Sequence, residues 1–151
     1  MNRDIKLPMA AGQLVPHRPP FLLVDKLLYF SGQTGVVESV ISPDNFFLAQ
    51  DGRFQDIAMV EILAQSAAAV KGYSDLQQGK EISKGFLVDI REFIFKKKCY
   101  KGDTIHSRID ITKSFGGFSI INGVLTCSGE ECAAGSMKLW VPYEGNDKNY
   151  A

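Results

Sequence analysis

The stretch FQDIAMVEILAQSAAAVKGY, residues 54–73, constrains this chain more than any other. Ala, Leu, Met, Glu and Gln dominate it, and all are strong helix formers. Gln55 and Asp56 open it with an acid near the positive end of the helix dipole, and Gly72 reads as its C-terminal stop. Between Ile57 and Val70 the only polar residues are Glu61, Gln65 and Ser66. A surface helix shows a polar face, whereas one that is apolar nearly all round is buried. In a chain of 151 residues, about one domain's length, the remaining segments must therefore wrap this helix.

Those segments read as strands. Phe21 to Phe30 and Gly35 to Ser42 flank a Ser-Gly-Gln turn at 31–33 and form a hairpin that Pro43 ends. Beyond the helix, residues 84–95, 103–114, 118–127 and 131–141 are separated by turns at Lys101-Gly102, Gly116-Gly117 and Ser128-Gly129. The expected fold class is α+β: a curved antiparallel sheet of about six strands around one long central helix. A single domain spans 1–151, with polar, fraying tails at about 1–8 and 144–151.

Seventeen basic and seventeen acidic residues give a formal net charge of zero, which leaves no electrostatic footprint for nucleic acid. No stretch approaches the ~18 apolar residues of a membrane span, and the N-terminus lacks the apolar run of a signal peptide, so the cytoplasm is the expected location. Cys99, Cys127 and Cys132 form no CxxC pattern, and with two histidines they suggest neither a disulfide framework nor a zinc site. Buried thiols are expected, and no metal or cofactor. Cys127 and Cys132 lie opposite each other if Gly129-Glu130 are the central residues of their turn, and do not if Ser128-Gly129 are.

Glu61 is the residue that demands an explanation, because burying an ionised carboxylate without a partner costs several kcal/mol, on the order of magnitude known for buried ions. Gln65, four residues on, shares its helix face and can hydrogen-bond it without neutralising it. Two readings are open. Either Glu61 lies at an edge and sees water, or desolvation keeps it protonated near neutral pH, as a general acid in need of a base.

The segments VPHRPPFLLVDKLLYF, VEILAQSAA, FLVDIREFIFKKKCYKGDTI and GVLTCSGEECAAGSMK resemble, in that order and spacing, the beta-hydroxyacyl-acyl carrier protein dehydratases of fatty-acid synthesis. The resemblance covers roughly residues 14–140 and implies the hotdog fold. It places the family's catalytic acid, first in a Glu-x-x-x-Gln pattern, on Glu61, with Gln65 beside it. The family's histidine, held in a Gly-His-Phe-Pro motif before the helix, has no counterpart in NFFLAQDGRFQDIAMVE, and Gln55-Asp56 stand where a Pro-Gly step would fall. In this the chain looks like the dehydratase-like proteins of aryl-polyene biosynthetic clusters, which keep the upstream His-Arg-x-Pro segment together with the helix Glu.

Two histidines remain as candidate bases. His106 lies in an alternating strand and is as readily a solvent-facing residue. His17 sits among Pro16, Pro19 and Pro20, which would hold its ring with little entropy to lose; it is either that base or a histidine that caps the N-terminal segment. Arg18 reads as a structural ion pair or a carrier-protein contact. The resemblance implies elimination of water from a 3-hydroxyacyl thioester on acyl carrier protein or coenzyme A. His17 would take the C2 proton, Glu61 would protonate the C3 hydroxyl, and helix amides near Asp56 and Ile57 would polarise the carbonyl. For that, His17 and Glu61 must face one cleft about 4–8 Å apart. The Asp56 side chain could compete for those amides. Two alternatives stand beside dehydration: thioester hydrolysis, and a non-catalytic acyl-binding subunit. A homodimer, or a heterodimer with another hotdog subunit, is expected because a lone sheet leaves strand edges open.

Overall fold

What buries the helix is a sheet that curls round it. In the computed structural model, which describes residues 5–142, α1 spans Ile57–Gln77. Met59, Ile62 and Leu63 on it are almost fully buried, each contributing about 1.5–3 kcal/mol by leaving water. The helix does not stop at Gly72. It runs five residues further to Gln77, and Gly79, at φ +73°, takes the left-handed position beyond its end. Gly72 is instead a point of close approach: a Cβ there would lie 2.1 Å from the Leu14 carbonyl oxygen. Its lack of a side chain lets the N-terminal segment lie directly on the helix.

The sheet has seven strands, one more than the sequence suggests: β1 (Met9–Ala10), β2 (Lys26–Ser31), β3 (Thr34–Val40), β4 (Phe86–Phe95), β5 (Thr104–Phe115), β6 (Phe118–Cys127) and β7 (Glu130–Trp140). Their order is β1-β2-β3-β5-β6-β7-β4, antiparallel throughout. This is the hotdog architecture. Alternation turns Val37, Ile105, Ile109, Ile121 and Leu125 inward against α1. Gly123 belongs to the same inner row, and a Cβ on it would meet Leu63 at 2.1 Å.

Two further expectations change, and one open alternative is decided. The second strand begins at Lys26, not Phe21, because the backbone groups of 21–23 are claimed elsewhere: the Phe21 and Leu22 amides donate to the Arg18 carbonyl, and the Leu23 amide donates to the Gln65 side chain. Ser128 and Gly129, at φ 53° and 77°, are the central residues of the last hairpin turn, so Cys127 faces Glu130 and the cysteines are not opposite. All three cysteines are free. Residues 5–8, assigned to a fraying tail, are docked: Ile5 and Leu7 pack on the core, and the Tyr73 hydroxyl donates to the Ile5 carbonyl at 2.5 Å. Residues 1–4 and the tail at 144–151 lie outside the described residues.

At the end of the sheet, β4 carries exposed Phe86, Leu87, Val88, Ile90, Ile94 and Phe95. An exposed apolar edge strand of this length offers unpaired backbone groups and apolar side chains together. Among the described residues no helix is long and apolar enough to cross a membrane.

Candidate active site

The site is assembled by the segment that crosses α1 before β2. Leu14 and Val15 are buried and end a single 3₁₀ turn over Ala11–Gln13. Beyond them, one Arg18 guanidinium nitrogen donates to the carbonyls of Val15 at 2.9 Å and His17 at 2.6 Å. Arg18 thus forms a hook that closes the proline-rich bend; the ion pair expected of it is absent among the described residues. The bend turns His17 toward α1, where its Nε2 lies 3.8 Å from Glu61 Oε1. The two groups thus face one cleft as expected, but stand slightly closer than the about 4–8 Å a working pair needs.

Gln65 joins the two halves. Its Nε2 donates to Glu61 Oε1 at 2.9 Å and to the Phe21 carbonyl at 2.8 Å, and its Oε1 accepts from the Leu23 amide at 2.8 Å. Gln65 is 1 % exposed. A buried amide that satisfies two backbone groups and one carboxylate is a rigid brace. It fixes the strip carrying His17 against the turn carrying Glu61. Glu61 itself is not a fully buried acid: its side chain is 41 % exposed, beside a His17 side chain at 33 %. The edge reading of Glu61 is therefore the one realised in the single chain.

Two hollows meet at Glu61. A groove of about 870 Å³ runs along α1 past His17, Glu61, Ala64, Ala68, Lys71 and Asp75. A smaller apolar cleft of about 360 Å³ is walled by Phe21, Phe47, Ile57, Val60, Leu87 and Ile90, again with Glu61 on its lining. Phe46 and Phe47 come from the stretch where the Gly-His-Phe-Pro motif is missing; they stack edge-on against each other, and Phe46 stacks on Phe21. An aromatic wall has taken that position.

Ile57 lies on the cleft wall, exposed at the first residue of α1. Asp56 turns away from the helix amides: it makes no side-chain cap, and its Oδ2 accepts from Lys98 Nζ at 2.7 Å. The feared competition is therefore absent, and the amides of Asp56 and Ile57 make no hydrogen bond among the described residues. Lys98 was not foreseen as a partner; the signal was the FKKK run, which carries it to the helix start. Nor was Leu14, whose backbone contact with Gly72 seats the bend. His106 stands apart on the outer face of the sheet, 3.2 Å from Glu38 on the neighbouring strand.

A central helix in a curved antiparallel sheet defines a hotdog protein, and here a carboxylate and an imidazole meet beside that helix. The chain belongs to the ApeP-like family, described as ApeP dehydratase, which matches residues 9–149. It is 32 % identical over 125 residues to the 3-hydroxyacyl-acyl-carrier-protein dehydratase FabZ of Geobacillus thermodenitrificans, covering 78 % of this chain and 82 % of that one. The dehydratase heterocomplex ApeI:P from Xenorhabdus doucetiae superimposes with a TM-score of 0.84 at 20 % identity, over 93 % of this chain and 94 % of that chain. A hypothetical thioesterase with coenzyme A from Streptococcus pneumoniae gives 0.59 at 11 % identity, over 76 % and 83 %. Both structural likenesses concern the fold alone.

Proposed function

We propose that the chain dehydrates 3-hydroxyacyl thioesters carried on acyl carrier protein or coenzyme A, with His17 as base and Glu61 as acid. The observation that carries this reading is the 3.8 Å approach of His17 Nε2 to Glu61 Oε1 within one groove, braced by Gln65. The imidazole takes the proton from C2, the C2–C3 double bond forms, and the C3–O bond breaks. The carboxyl proton leaves with the hydroxyl as water. Gln65 occupies Oε1, which leaves Oε2 to carry that proton. The cycle closes when the imidazolium returns its proton to the carboxylate across the short gap. The free amides of Asp56 and Ile57, at the positive end of α1, polarise the thioester carbonyl. From Glu61 to Asp75 the helix covers about 21 Å at 1.5 Å per residue, so the groove beside it has room for a long acyl chain.

Assembly with a second hotdog subunit belongs to the same proposal. It is supported by the apolar β4 edge and by the heterocomplex in which the similar Xenorhabdus protein is found. A second reading has one observation in its favour: Glu61 is exposed enough to activate a water, which is the work of a thioesterase. One experiment separates them. The purified chain, alone and co-expressed with a second hotdog subunit, is incubated with a short 3-hydroxyacyl thioester while enoyl absorbance and free thiol are followed. Enoyl absorbance without thiol supports dehydration; thiol release points to hydrolysis; silence in both preparations refutes catalysis and leaves an acyl-binding subunit.

A further inference from the structure

We infer that Cys99, Cys127 and Asp103 form a binding site for a divalent cation of the zinc class, at the end of the sheet beside the start of α1. The two Sγ atoms and a carboxylate oxygen of Asp103 all lie within 4.8 Å of one another. A tetrahedral zinc ion holds sulfur at about 2.3 Å and carboxylate oxygen at about 2.0–2.2 Å, which sets ligand atoms about 3.5–3.8 Å apart. Relative to that spacing the three groups lie at most about 1.3 Å too far apart, within the reach of side-chain rotation.

No local spacing announces this site, because three separate turns build it. Cys99 opens a tight turn in which the Tyr100 amide donates to Asp103 Oδ2 at 2.9 Å, bringing the carboxylate back beside the thiol. Cys127 ends β6 on the inner face, opposite Ile105. In the following hairpin Leu125 pairs with Ala133 and Thr126 with Glu131, so Cys132 is the extra residue of a bulge. That bulge turns the Cys132 thiol inward, against Cys99 and toward the Leu125 carbonyl at 3.3 Å. Two thiolates and a carboxylate suit zinc better than magnesium or calcium, which prefer oxygen alone. The three thiols are buried and Asp103 is half-buried, so the carboxylate marks the way in. Binding releases the two thiol protons to solvent.

Such an ion would tie down the turn that seats the catalytic helix. The Cys99 carbonyl accepts from the Phe54 amide at 2.8 Å, and Lys98, one residue earlier, holds Asp56. The site shares no residue with the His17–Glu61 pair, so it stands or falls independently of the proposed reaction.

The test is a titration of the reduced, folded full chain with cobalt(II), followed by competition with zinc. The expected result is one equivalent bound, with thiolate-to-cobalt charge-transfer absorption in the near ultraviolet and the strong visible bands of tetrahedral cobalt, abolished by zinc. Cys127→Ser should reduce the charge-transfer absorption to that of the one remaining thiolate and weaken binding. Asp103→Asn, which retains an oxygen for the Tyr100 amide, should keep the fold and bind at least about tenfold more weakly, the scale on which metal-site substitutions act. If Cys127→Ser does not fold, Asp103→Asn decides. Absence of the charge-transfer band in the folded wild-type chain, its undiminished intensity in folded Cys127→Ser, or unchanged affinity in Asp103→Asn would overturn the assignment.

Discussion

Replacing Gln65 by Leu tests the brace on which the site depends. The substitution nearly preserves volume and deletes three hydrogen bonds at once. Their losses are unequal. The Phe21 carbonyl belongs to an exposed residue and can turn to water. Leu23 is buried, so its amide is stranded, and an unsatisfied buried donor costs about 1–3 kcal/mol. Added apolar burial by the new Leu offsets part of this, leaving a net loss of about 1–2 kcal/mol. At about 2–4 °C per kcal/mol for a domain of this size, the melting temperature should fall by roughly 2–8 °C. Turnover measured well below that melting point should fall further than stability explains, because Glu61 loses its orienting donor and the 21–23 strip that follows His17 is no longer pinned. Circular dichroism melts give the first quantity and enoyl absorbance the second. An unchanged melting temperature together with unchanged turnover would refute the view that Gln65 joins the two halves of the site.

Glu61→Gln keeps size and removes the transferable proton; enoyl formation should drop by at least ~10²-fold with the fold intact by circular dichroism, and normal turnover would remove Glu61 from the chemistry. His17→Ala should abolish dehydration, followed by enoyl absorbance, while sedimentation of the assembly is unchanged. Gly72→Ala places a methyl group 2.1 Å from the Leu14 carbonyl oxygen. Overpacking of about 1–3 kcal/mol should outweigh the ~1 kcal/mol gained in helix propensity, seen as a lower denaturation midpoint. Ile94→Glu on the exposed edge strand should leave the monomer folded but shift sedimentation toward the 16.7 kDa species; unaltered assembly would exclude this face as the joint.

The large elements were legible because their signals are local and redundant. A helix apolar nearly all round and strands separated by Gly-containing turns specify a wrapped helix with little help from long-range information. What escaped the sequence depends on the close passage of distant backbone. Gly72 has the composition of a helix stop and the job of a contact surface, and only the position of Leu14 distinguishes the two. Phe21 to Val24 have strand propensity, yet the Gln65 amide, 42 residues from Leu23, claims a hydrogen bond that a ladder would have used. Propensity cannot register such competition. The pairing of Lys98 with Asp56 was hidden in the same way, since a run of lysines looks like a solvated surface until one of them has a partner.

Where the site is concerned, the geometry argues that the resting pair must open to work. A base on C2 and an acid on the C3 hydroxyl each need a hydrogen-bond-length contact with substrate, about 2.6–3.2 Å, so two functional groups spaced by a carbon–carbon bond require more than 3.8 Å between them. His17 Nδ1 is buried and has no partner among the described residues. The tautomer able to accept a proton at Nε2 holds its hydrogen on that atom, at a stranding cost of about 1–3 kcal/mol. The resting ring is therefore biased toward carrying its hydrogen on Nε2, which faces Glu61 Oε1 at 3.8 Å, and an arriving thioester must part the two side chains. Of these, Glu61 is held by Gln65 from its own helix, whereas His17 rides on a bend secured by the Arg18 hook. The movement that admits substrate thus falls to the bend, and loosening it by Arg18→Ala should change the Michaelis constant more than the turnover number if opening, rather than proton transfer, is what the hook governs.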